Sequence, residues 1–138
     1  MDLNLHPIFV HFPIALFVSA LGLEVASLIL DKEILHRSAF HIYILAICLA
    51  PFTVLTGLFE ANALHLNHPV FIIHRTFAFI TLGVSLISLP IFTFIKAQGT
   101  RAFRIVFLIF LLIVTSSVAI TAYNDGRMVY EYGIGVEK

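Results

Sequence analysis

Ile105-Val106-Phe107-Leu108-Ile109-Phe110-Leu111-Leu112-Ile113-Val114 is ten consecutive apolar residues inside a stretch, 103–123, whose one charged side chain is Arg104. About 20 apolar residues are needed to cross a bilayer core as a helix, so this segment reads as a membrane span. Working outward, three more stretches of the same kind appear, at 7–30, 38–59 and 69–95. The first ends at Asp31-Lys32-Glu33 and continues without an Ala-x-Ala cleavage site, so it reads as a retained span and not a signal peptide. The linking segments are short, which makes neighbouring helices antiparallel. The expectation is a single all-α domain: an integral membrane four-helix up-down bundle.

Composition agrees. Sixty per cent of the 138 residues are hydrophobic and 12 % are charged, about half the charge that covers a soluble domain. Eight acidic and eight basic residues cancel, and no basic stripe suggests nucleic acid. One cysteine, Cys48, excludes an intrachain disulfide. Lys32, Arg37, Lys96, Arg101 and Arg104 fall at one set of span ends, and Arg75, Arg127 and Lys138 at the other. The excess should face the cytoplasm, with both termini periplasmic.

The second half of the chain echoes the first. His6-Pro7-Ile8-Phe9-Val10-His11 recurs as His68-Pro69-Val70-Phe71-Ile72-Ile73-His74, with one inserted residue. Arg37-Ser38-Ala39-Phe40-His41-Ile42 recurs as Arg101-Ala102-Phe103-Arg104-Ile105, and Thr56-Gly57-Leu58-Phe59-Glu60-Ala61 as Thr121-Ala122-Tyr123-Asn124-Asp125-Gly126. This order suggests a duplicated helical hairpin whose copies are related by an axis along the membrane normal.

Under that symmetry His11 and His74 face each other one to two turns inside their helices. Small residues continue both faces: Ala15, Ser19, Gly22 and Ala26 after His11, and Ala78, Thr81, Ser85 and Ser88 after His74. Gly57 and Ala122 should lie at the same depth. Two opposed imidazoles amid small side chains suit a flat macrocycle, and b-type haem with His11 and His74 as axial ligands is the expected cofactor. Arg75, Tyr123 and Arg127 are placed to meet its propionates, and Glu60 or Asp125 to accept the second ring N–H of a ligand. On the other side of the membrane, Glu24 and His41 have the depth to pair.

The competing interpretation is plain. Small residues let membrane helices approach closely, and a histidine near a helix end can simply hydrogen-bond at the interface. The chain would then be a cofactor-free anchor or scaffold. A small copper or zinc site at the outer rim, from His6, His11, His65, His68 and Glu60, is a further alternative. No nucleophile motif or nucleotide loop is present, so the chain is not expected to be an enzyme by itself. Its expected partners are the lipid bilayer and a redox protein or quinone, and a homodimer or larger complex is compatible.

His6 to Leu16, Thr56-Gly57-x-x-Glu60-Ala61 and Gly126-Arg127-Met128-Val129-Tyr130-Glu131-Tyr132-Gly133-Ile134-Gly135-Val136 resemble the signatures of a bacterial membrane-protein family, domain of unknown function 2231. The resemblance runs end to end. It implies a four-span inner-membrane protein without an assigned reaction. It also points towards redox work, because members are sometimes joined to Rieske-type iron–sulfur domains. This chain has no such domain, so an iron–sulfur partner would be a separate subunit.

Overall fold

The computed structural model describes residues 5–94 and 100–134, residues 5–8 by backbone alone. Four helices follow one another: α1 (Leu5–Leu30), α2 (Glu33–Ala63), α3 (Pro69–Phe94) and α4 (Arg101–Tyr130). Each is long and apolar enough to cross a membrane, so the all-α four-span bundle stands. α2 starts before, and α2 and α4 end beyond, the boundaries read from the sequence. Charge ends an apolar span without ending a helix, because helical hydrogen bonding needs only the backbone. At 30 residues, α4 is about 45 Å long, and the bilayer core takes up about 30 Å of that.

Three helices stop by the same device. Asp31, His65 and Gly133 take positive φ of 49°, 49° and 63°. The next amide then turns back to a carbonyl five residues earlier in two of them, Lys32 to Ser27 at 3.2 Å and Leu66 to Ala61 at 3.0 Å, and six earlier in the third, Ile134 to Met128 at 2.9 Å. These bonds occupy carbonyls that the helix end would leave unpaired. Only at Gly133 is the conformation free of a Cβ penalty.

α1 packs chiefly on α2 and α3 chiefly on α4, with thinner α1–α4 and α2–α3 contacts. The helices therefore run in order around the bundle and α1 lies diagonally opposite α3, as a pair of hairpins requires. One end, here the terminal end, carries the start of α1, the end of α4 and the α2–α3 connection. The other, the hairpin end, carries the α1–α2 turn, the end of α3 and the start of α4.

Burial is inverted relative to a soluble bundle. Phe12, Phe52, Phe59, Phe94 and Ile29 are exposed, while Glu24, His36, His74, Ser85, Ser88 and Arg104 are buried. That arrangement needs lipid around it, since exposed apolar surface on this scale is unfavourable in water. The small stripe of α3 is indeed inward: Thr81, Ser85 and Ser88 are buried, and Thr81 Oγ1 donates to Ser117 on α4 at 2.9 Å. The stripe of α1 is not. Ala15, Ser19 and Gly22 are exposed, and the inward face of α1 is Val10, Phe17, Ala20, Glu24 and Ser27.

Candidate functional site

A cavity of about 630 Å³ lies at the terminal end, lined by all four helices. Among its lining residues are His11 from α1, Gly57 and Glu60 from α2, His74 and Arg75 from α3, and Asp125 from α4. The small residues Gly57, Ala78, Ala122 and Gly126 line it as well. Where they stand, side chains take up little of the space between the helices. Residues from both halves of the chain thus line one cavity.

His74 is the best-defined of these groups. It is 7 % exposed, and its Nδ1 lies 3.0 Å from the Thr121 carbonyl oxygen. A carbonyl can only accept, so Nδ1 carries a proton and donates it, and in the neutral ring Nε2 then holds the lone pair. The expected carboxylate acceptor, Glu60 or Asp125, is not the partner of Nδ1; the backbone of α4 is. His11 lines the same cavity from the diagonal helix and is exposed. Two residues along α1, Pro13 has no N–H, which releases the Phe9 carbonyl from helical bonding. Thr53 Oγ1 on α2 approaches that oxygen at 3.4 Å, and Thr53 also lines the cavity.

Arg75 lies on the wall with its guanidinium 5.5 Å from the Phe71 ring centroid, a cation–π distance. Tyr123 and Arg127, expected beside it, lie off the cavity. Tyr123 is 67 % exposed. Arg127 stacks at 5.9 Å on both Tyr123 and Tyr132 and donates to Glu131 at 2.9 Å. The cause is helical phase: two residues on from Thr121, the Tyr123 side chain swings to the far side of α4. Exposed Tyr123, Tyr130 and Tyr132, with half-buried Arg127, form a collar of the kind found at membrane interfaces. Tyr130 also lines the cavity, a placement the sequence did not suggest.

No rim metal site forms among the described residues, where no three His, Cys, Asp or Glu side chains come together. His68 Nδ1 accepts from the Val70 amide at 3.3 Å and its ring lies 4.4 Å from that of Tyr132. His65 occupies the α2–α3 turn. The side chain of His6 lies outside the described residues.

At the hairpin end Glu24 is paired, but with His36 at 2.8 Å and not with His41. α2 begins at Glu33, and its buried seam runs His36, Ala39, Tyr43, Ala46, Ile47 and Ala50. His41 is out of phase with that seam; it is exposed, and its Nδ1 donates to the Arg37 carbonyl at 2.6 Å.

A family model described as predicted membrane protein (DUF2231) matches residues 2–138, and the chain belongs to that family. No curated protein and no solved structure matches it.

Proposed function

We propose that this member of the DUF2231 family is a haem b-binding electron-transfer subunit of the bacterial inner membrane, exchanging electrons with a quinol or a redox protein. The observation that carries the reading is the fixed tautomer of His74. Metal-ligating histidines donate their other ring N–H to a carbonyl or carboxylate, which orients the ring and raises its basicity. His74 does this through Thr121, on the wall of a cavity within the roughly 300–1,000 Å³ range of ligand sites. His11, on the diagonal helix and lining the same cavity, would be the other ligand. Haem held there would supply one-electron redox chemistry. Of the chain's own residues, Thr121 orients the His74 imidazole, the largely apolar wall would exclude water, and Arg75 would meet a propionate carboxylate.

Haemin titrated into purified, cofactor-depleted protein should saturate at one equivalent per chain. Arg75→Ala should still bind but should lose haem to apomyoglobin roughly 10–100-fold faster, the worth of about one charge-assisted hydrogen bond. Absence of saturable uptake would leave the cofactor-free anchor as the better account.

The orientation follows from the bias of basic residues. Arg104 is drawn into the bundle, which leaves Lys32, Arg37, Lys96 and Arg101 at the hairpin end against Arg75, Arg127 and Lys138. An alkaline phosphatase fused after Lys138 should be active, placing the cavity on the periplasmic side. A green fluorescent protein at the same point should be dark; the reverse pair of results would put the cavity at the cytoplasmic face.

A further inference from the structure

A second cluster of ionisable groups lies inside the hairpin end, apart from the cavity. Glu24 of α1 is 0 % exposed. Its Oε2 lies 2.8 Å from His36 Nδ1 on α2, and its Oε1 has no hydrogen-bond partner. Phe103 and Phe107 of α4 meet the His36 ring edge-on, with centroids at 5.8 and 5.7 Å. Arg104 of α4 is buried too. It donates to the Ser27 carbonyl and, at 3.1 Å, to Asp31, while its Nε is unpartnered. Ser27 Oγ donates to the Glu24 carbonyl at 2.7 Å. Other charged groups at this end are Lys32, next to Asp31, Arg101 at the start of α4, and Glu33 and Arg37, which pair with each other on the surface at 2.7 Å. Tyr43 of α2 shares a 2.6 Å hydrogen bond with Ser88, and α3 carries no charged side chain between Thr76 and Phe94.

A pair that served only to join α1 to α2 would do so at less cost as packed apolar residues, because buried ion pairs seldom outweigh their desolvation. Ionisable groups inside a span mark proton and ion routes far more often than their rarity would suggest. Two features give this pair a specific capacity. The unpartnered Oε1 is an acceptor in an otherwise closed interior, where such an atom is unfavourable until it binds something. The charge also balances: with Glu24 ionised and His36 neutral, the four groups Glu24, His36, Arg104 and Asp31 are net negative by one, and one added proton makes them neutral. The way in is short. The Asp31 side chain is 91 % exposed, and Arg104 spans from it to Ser27. Towards the membrane centre Phe17, Phe107 and Leu111, each no more than 1 % exposed, close the site.

We propose that Glu24–His36 is a proton-exchange site, loaded from the water at the hairpin end past Asp31 and Arg104. The ligand is the proton itself. It comes from hydronium or a buffer acid in that water: the donor's bond to hydrogen breaks as the carboxyl O–H or imidazole N–H bond forms, and the reverse transfer to water or buffer base releases it by the same route. The site stands independently of haem binding at the other end.

Infrared difference spectra of the full chain in lipid nanodiscs, taken between mildly acidic and mildly alkaline buffer, test it. The wild type should show either a carboxylic-acid carbonyl band or imidazolium ring bands, shifted in D2O, and Glu24→Gln should lose that signal entirely. His36→Gln provides a second comparison, in which the signal should move or vanish even if Glu24→Gln fails to insert. Arg104→Gln should change by several-fold the rate at which the signal appears after a pH jump. Wild-type and variant spectra that coincide would overturn the exchange site, and an unchanged rate in Arg104→Gln would overturn the route past Arg104.

Discussion

His74→Ala should remove haem binding by the chain, His11→Ala should weaken it severely, and His65→Ala should leave it intact. The order follows from geometry. His74 is buried on the cavity wall and its ring is fixed by the Thr121 carbonyl, so its loss removes both a ligand and the orientation built around it. Partners that merely orient a ligand are worth about 10–100-fold in metal affinity, and the ligand itself should exceed that. His11 comes from an exposed position, and one remaining axial ligand would hold haem loosely. His65 lies in the α2–α3 turn and is not among the cavity's lining residues. Affinity is read from haemin titrations on variants that still insert and run as compact species in detergent. Equal affinity for His74→Ala and wild type would remove His74 from the site.

The largest stability change is expected at the opposite end. His36→Leu leaves the Glu24 carboxyl buried without its 2.8 Å partner, and breaking a buried pair from one side costs about 3–5 kcal/mol. The double variant Glu24→Leu with His36→Leu should recover most of that loss, because packed apolar side chains commonly match or exceed a buried pair in stability. Denaturant unfolding in mixed micelles measures both. If the double variant were as unstable as the single one, shape or packing at these positions would be the cause and not the stranded carboxyl.

The number of spans was legible because the apolar runs are long and the links between them are charged. Helix ends were less so. Glu60 and Asp125 mark where lipid gives way to water, yet α2 runs on to Ala63 and α4 to Tyr130. The sequence reading set His11, Gly57, His74 and Ala122 at one depth, and all four line the cavity. Which way α1 faces was misread, because its phase was taken from His11 and small residues. Glu24 held the better signal: a carboxylate inside a span must point inward, and counting from it by threes and fours gives Ala20, Phe17 and Ser27. The same reasoning from His36 would have found the buried seam of α2. Tyr123 and Arg127 were placed by depth alone, and depth says nothing about which side of α4 they occupy.

The central claim is that the terminal-end cavity holds haem between His11 and His74. The visible spectrum of wild-type protein, purified from cells with abundant haem and reduced with dithionite, tests it most directly. The account predicts the sharp, well-separated bands of a six-coordinate bis-histidine haem b, at one haem per chain. A colourless preparation of folded, inserted protein, or a spectrum that persists unchanged when both histidines are replaced, would contradict it.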